Sequence, residues 1–305
     1  MRLAYIISAY QYPDQLIRLV TRLMADFADF YIHIDKKTPD QTVQEMRDSL
    51  SRHANVHFLE RHICHYGGFG HVEASLKGID KIIDDGFAHD YAILLTGQDY
   101  PIKSNQYIEE FFREAGGKSF MQYIAISDPR VADGWPDAIE RFSHWRVQGK
   151  RRAYMLPPTD VYLRPLISPV SGPIGLALKH CLPERKPLEG FPPYGGSGYW
   201  NLSRECIEYI MEFVHSNPKF VRFFRYTSVP DEHFFQTMLL NSTLRDTIVN
   251  DSLRYINWQG CFGPSPQVLT MADFDKLIAS NALFARKFDA TVDKRILDEI
   301  DTRIA

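Results

Sequence analysis

The first 125 residues alternate short apolar runs with amphipathic ones, and no other feature of the 305-residue chain restricts its fold as much. Leu3–Ser8 and Tyr91–Leu95 read as continuous apolar strands, the second running into Thr-Gly-Gln-Asp-Tyr-Pro. Phe30–Ile34 reads as a strand ending at Asp35, and Val56–Leu59 as a further short one. Between them, Asp14–Phe27 puts Leu16, Leu19, Val20, Leu23, Met24 and Phe27 on one helical face, and Val72–Asp84 reads as a second helix. Strands apolar on both faces and separated by helices predict an α/β fold: a mostly parallel, Rossmann-like central sheet flanked by helices. Ligands then bind at the carboxyl ends of the strands.

Residues 126–195 break this rhythm. They carry 11 of the 18 prolines, and between Arg141 and Lys186 nine Lys/Arg face two acidic residues. An irregular basic excursion over one face of the sheet is expected, of the length that is usually functional or disordered. Regular structure resumes at Tyr199–Leu202, with helices to residue 240, short strands near Thr247–Val249 and Tyr255–Asn257, and two terminal helices. With no repeat and no linker, residues 1–305 read as one domain.

Charge and composition exclude several classes. The balance of 35 basic and 38 acidic residues, −3 overall, offers no global field for nucleic acid. Cys64, Cys181, Cys206 and Cys261 are widely spaced and read as reduced thiols. No uncharged apolar run approaches the ~18 residues of a spanning helix, and Met1 leads straight into a strand. A cytoplasmic setting is expected, with peripheral contact at the inner membrane left open through the basic 141–186 segment. No P-loop, G-x-S-x-G or G-x-G-x-x-G occurs.

Three C-terminal blocks carry chemistry. In Ser228-Val-Pro-Asp-Glu-His, Pro230 reads as the first residue of a helix capped by Ser228 or Val229. The positive helix end is expected to keep Asp231 and Glu232 ionised, as a proton acceptor must be. Trp258 follows in Leu253-Arg-Tyr-Ile-Asn-Trp, and Lys287 in Leu283-Phe-Ala-Arg-Lys-Phe-Asp. The one Asp-x-Asp triplet, Asp273-Phe-Asp275, reads as the capped first turn of a helix, where side chains two apart diverge. His53, His57, His62, His65 and His71 crowd around Cys64, at spacings that fit no usual zinc finger.

Taken in order, these blocks resemble glycosyltransferase family fourteen, the core-2/I-branching N-acetylglucosaminyltransferases and peptide O-xylosyltransferases with their bacterial relatives. Further landmarks are Tyr31-Ile-His-Ile-Asp-Lys-Lys37, Tyr66-Gly-Gly-Phe-Gly-His-Val-Glu-Ala74, Leu94-Leu-Thr-Gly-Gln-Asp-Tyr-Pro-Ile-Lys103 and Gly195-Gly-Ser-Gly-Tyr-Trp200. The resemblance runs nearly end to end, and the C-terminal half is most similar to the xylosyltransferase branch. It implies a variant GT-A fold, a UDP-sugar donor and a glycan acceptor, inversion at the anomeric carbon, and no metal or other cofactor. N-acetylglucosamine and xylose are the leading transferred sugars, and assembly of a bacterial surface polysaccharide is the expected setting. Residues 1–125 would be the nucleotide-sugar half and 196–305 the acceptor and catalytic half.

Carried over residue by residue, the resemblance makes Glu232 the base, with Asp231 capping or orienting beside it. Asp35 would read the uracil, flanked by Ser8 and Tyr10, and Lys287 would stand where other enzymes hold a metal against the diphosphate. The branching enzymes place a further arginine upstream of that lysine, where a gapless count here lands on Pro264. Arg254 or Arg286 would then supply the second cation, or Lys287 acts alone. Trp258 would be the acceptor platform, Tyr199 and Ser197 would lie along it, and Arg141 resembles an acceptor-side arginine. Two departures stand out: Tyr66 replaces a tryptophan, and Gly198 replaces an aspartate of the xylosyltransferase branch. Asp99, where metal-using relatives place their motif, is expected to be structural or to touch sugar. Two rival readings are a glycoside hydrolase using Asp231 and Glu232, and a non-catalytic carbohydrate-binding protein.

Overall fold

A computed structural model describes residues 1–86, 88–135, 137–149, 153–156, 185–259 and 265–305. Seven strands form the central sheet: β1 (Leu3–Ala9), β2 (Ala28–Ile34), β3 (Val56–Phe58), β4 (Tyr91–Thr96), β5 (Ser119–Met121), β6 (Trp200–Ser203) and β7 (Ile248–Val249). Their order is β7-β5-β6-β4-β1-β2-β3, with β6 alone antiparallel to its neighbours. The expected mostly parallel α/β sheet is present.

Both faces of the sheet are buried, because successive strand residues point to opposite sides. Tyr5, Ile7, Phe30 and Ile32 pack on one side with Leu16, Leu19, Val20 and Leu23 of the helix Pro13–Leu23. Ala4, Ile6 and Tyr31 pack on the other with the helices Gly70–Asp84 and Arg204–Ser216 and with Phe220, Phe224, Phe234 and Phe235. Pro13 at the first helical turn, with Asp14 beside it, starts the first helix. That helix stops at Leu23, four residues short of the expected Phe27, because Phe27 serves β1: its carbonyl accepts from Leu3 N–H (2.7 Å). Two helices that the apolar spacing did not single out, Asp40–Leu50 and Asn105–Ala115, complete the cover.

A small second sheet sets the site. Arg254–Ile256 runs parallel to Phe284–Arg286, and Tyr100–Pro101 pairs antiparallel on the other side. It carries the segment after β4 and the Arg-Lys pair to the carboxyl end of the main sheet. There the order turns away on either side of β1, to β2 in one direction and β4 in the other, the usual crevice for a ligand. Residues 157–184 of the basic excursion, together with Cys261 and Pro264, lie outside the described residues, and Cys181 falls among them. Cys64 and Cys206 are free and buried, in keeping with reduced thiols. Among the described residues, no helix is long and apolar enough to cross a membrane.

Candidate active site

One cavity of 1410 Å³ opens at the carboxyl ends of β1, β2 and β4, large enough for two ligands side by side. Ser8, Tyr10, Asp35, Arg286 and Lys287 line one part of it, and Ser197, Tyr199, Asp231, Glu232, Arg141 and Trp258 another. Residues up to 279 positions apart thus meet. Of the twelve residues given catalytic, donor-side or acceptor-side roles from the sequence, Arg254 stands outside the lining. Its guanidinium donates to Leu94 O (2.8 Å), Ser252 O (3.1 Å) and Asn201 Oδ1 (3.2 Å), and lies 4.4 Å from the Phe284 ring. Burial lowers its pKa to about 10. Arg254 therefore braces the wall from behind instead of contributing a donor-binding group to it.

The cation wall is built on that brace. Asp99, wholly buried, accepts from Thr96 N–H (2.6 Å) and faces the Arg286 Nε at 3.7 Å. Burial raises the Asp99 pKa, and Arg286 and Arg254 oppose the rise. Asp99 is not among the cavity lining, a position that suits the structural of its two expected roles. Arg286 lies 4.3 Å from the Tyr199 ring centre, and among the described residues its Nε and Nη1 have no hydrogen-bond partner. Next to it, Lys287 Nζ donates to Ser265 Oγ (2.5 Å). The backbone here is pinned: Phe288 N–H donates to Gln98 O (2.9 Å), and Gln15 Nε2 bridges Gly97 O and Phe288 O at 3.0 Å each. Buried Phe284 and Phe288 anchor the strand and leave the two cations on the cavity side.

Asp35 sits immediately after β2, buried, with its carboxylate partly engaged. Oδ1 accepts from Lys37 N–H (2.8 Å), while Oδ2 accepts from Cys64 N–H (3.3 Å) and lies 3.4 Å from Lys37 Nζ. The turn role and the cavity-facing position coexist, since a carboxylate has lone pairs to spare.

The acid wall differs from the expected helix start. Pro230–Glu232 forms a single 3-10 turn, and the α-helix begins only at Phe234. Val229 before it adopts a left-handed backbone (φ 48°), a strained state for a β-branched residue, held by its N–H bond to Gly67 O (2.9 Å). Nor is Glu232 kept ionised by a helix end. Burial, and then the neighbouring Asp231 charge, raise its pKa to about 7, with Arg141 pulling the other way. The protein around it supplies the desolvation, while the 34% of its side-chain surface still accessible opens to the cavity.

Arg141 lines the cavity, yet its guanidinium is committed to the acids: Nη1 to Glu232 Oε2 at 2.5 Å and Nε to Asp137 Oδ2 at 3.1 Å. It lies 4.7 Å from the Trp135 ring, which in turn stacks on His233 at 4.9 Å and 10°. Burial lowers the His233 pKa to about 3, so it stays neutral. Trp135 and Asp137 are residues that the sequence did not flag. They lie in a stretch without periodicity, where no spacing ties them to a site 90 residues away. Trp258 is 55% exposed at the cavity rim, where a flat indole face can meet a sugar.

His33, which the sequence also left aside, joins His62 and Cys64 with ligand atoms inside 4.8 Å. Hydrogen bonding accounts for their closeness. His62 uses Nδ1 with His33 Nε2 (3.0 Å) and Nε2 with Gly70 O (2.8 Å), and Cys64 Sγ also meets Gly70 O (3.3 Å). Asp273 accepts from Thr270 N–H (3.0 Å) in a capping box, as the Asp-x-Asp triplet was expected to do.

Residues 3–278 match the profile described as Core-2/I-Branching enzyme, and the chain belongs to that glycosyltransferase family. Xylosyltransferase 2 of Homo sapiens is 26% identical over 323 residues, covering 99% of this chain and 33% of that protein. Xylosyltransferase 1 of Mus musculus is 26% identical over 294 residues, covering 90% and 28%. The chain therefore spans about a third of the length of these relatives. Among solved structures, the mannosyltransferase Ktr4p of S. cerevisiae aligns with TM-score 0.34 and 10% identity, covering 80% of this chain and 67% of that one.

Proposed function

We propose that the protein is an inverting glycosyltransferase that moves a sugar from a UDP-sugar to a hydroxyl of a glycan acceptor. The observation that carries this reading is the placing of Arg286 and Lys287 in the same cavity as the paired Asp231 and Glu232. In transfer, ionised Glu232 takes the proton of the acceptor hydroxyl as its oxygen forms a bond to the anomeric carbon. The bond from that carbon to the diphosphate breaks, its electron pair leaves with UDP, and Arg286 and Lys287 stabilise the developing charge. Attack from the face opposite the leaving group inverts the centre. Trp258 offers the acceptor sugar a platform, and Asp35 a carboxylate for the donor's uracil edge.

Fixed protein cations fit a reaction that needs no metal. Asp99 is turned inward to Thr96 and Arg286, and Asp273 caps a helix, so neither presents a carboxylate to a diphosphate. A hydrolase reading is less well supported. Asp231 and Glu232 share one turn, whereas hydrolysis needs two carboxyls facing each other across the bond, roughly 5–9 Å apart. The test is a thermal-shift screen of UDP, GDP and ADP, in which UDP alone is expected to stabilise the fold by mass action. Equal stabilisation by GDP and UDP would overturn the donor-site reading.

A further inference from the structure

Three glycines lie close together in Gly195-Gly-Ser-Gly198, and only two of them are required by their surroundings. A Cβ at Gly195 would come within 2.6 Å of Trp135 Cζ3 and 2.7 Å of His233 Nδ1, and one at Gly196 within 2.0 Å of Gln122 O. Such contacts leave no room for a side chain. At Gly198 the nearest atom a Cβ would meet is Asp231 Oδ2, at an ordinary 3.5 Å, and the backbone is not in the left-handed region. Neither packing nor conformation asks for glycine there, yet the residue lines the cavity.

Its neighbours say what the space is for. On one side, Tyr199 carries its ring 4.3 Å from the Arg286 guanidinium. On the other stands Asp231, next to Glu232, and Asp231 Oδ1 is buried with no hydrogen-bond partner among the described residues. Inverting transfer puts the leaving diphosphate and the base on opposite sides of the sugar, so the sugar ring must lie between the cations and Glu232, alongside Gly198. This rests on the proposed UDP-sugar reading.

We propose that Gly198 selects the transferred sugar: the corner it leaves open takes the exocyclic group of a six-carbon sugar, a hydroxymethyl that a pentose lacks. The unpartnered Asp231 Oδ1 accepts the hydrogen bond of that hydroxyl. The relatives found by comparison are named for xylose, a pentose, and this corner separates the present chain from that choice.

The test measures binding of UDP, UDP-xylose, UDP-glucose and UDP-N-acetylglucosamine to wild type, Gly198→Ala and Gly198→Asp by calorimetry. Filling the corner should weaken at least one of the two six-carbon donors by about tenfold or more, the usual cost of a crowded sugar pocket. UDP and UDP-xylose should bind all three proteins alike, and the milder alanine keeps the comparison available if the aspartate variant misfolds. If UDP binds but preference among the donor sugars ignores residue 198, or if wild type prefers UDP-xylose, this inference falls alone. If wild type does not bind UDP, the donor reading falls and takes the inference with it.

Discussion

The two walls of the cavity use the same kinds of side chain in opposite proportion. On the cation wall the carboxylate Asp99 faces Arg286, with Arg254 acting on it from behind, and Lys287 bonds Ser265 at the edge. On the base wall one guanidinium, Arg141, is held between Glu232 and Asp137, with Asp231 alongside. Asp99 lies buried behind its wall and Arg141 lines the other, and Arg286 and Glu232 beside them face the cavity. The difference teaches what each wall is arranged to do. In the proposed transfer, a surplus of fixed cations would meet a leaving group that gains negative charge. Burial, and after it the neighbouring Asp231 charge, raises the proton affinity of Glu232, as a proton acceptor's site can be arranged to do.

Four predictions try to break that contrast. The largest effect is expected at the base. Glu232→Gln should lower turnover roughly 10²–10⁴-fold, the range for loss of a general base, while leaving UDP affinity at the wild-type level. A mild Glu232→Gln beside a crippling Asp231→Asn would exchange the roles of the two acids.

Next comes the donor wall, where Lys287→Ala should cost about 10²–10³ in kcat, as for one oriented charge-stabilising group. With Arg286 beside it in the cavity, Arg286→Ala, Lys287→Ala is expected to lose more than either single change. A double variant no worse than Lys287→Ala would leave Arg286 with a purely structural part.

Smaller effects follow from Arg141. Glu232 accepts a proton only when ionised, and its pKa is raised to about 7. The rate should therefore fall about tenfold per pH unit below that value and level off above it. Because Arg141 opposes the rise, Arg141→Gln should move this limb to higher pH. A displacement of about one unit would cost about fivefold at pH 7 and be recovered in alkali. A uniform loss at every pH would mean that Arg141 serves the acceptor instead.

Least of all should come from a chelator. EDTA is expected to leave the rate unchanged, and manganese to add nothing. A chelator-sensitive enzyme revived by manganese would return attention to Asp99 and dissolve the distinction between the walls.

The sequence reached the frame of this site because strands declare themselves locally. Ser8 and Asp35 follow apolar runs, and a parallel sheet puts the ends of such runs together. The bond from Arg141 to Glu232 was not legible, since it joins residues 91 apart across a stretch with no periodicity. Trp135 and Asp137 were missed for the same reason.

By itself, then, the sequence determined the α/β frame and the family, and eleven of the twelve site residues it named line the cavity. Tertiary structure alone decided their duties. Arg254 and Arg286 are both arginines at strand positions, and only packing put one behind the wall on carbonyl oxygens and the other at its face. Glu232 looked like an acid kept ionised at a helix start. Its proton affinity was instead set by the protein that surrounds it, because desolvation and neighbouring charge act through space and leave no mark on local sequence.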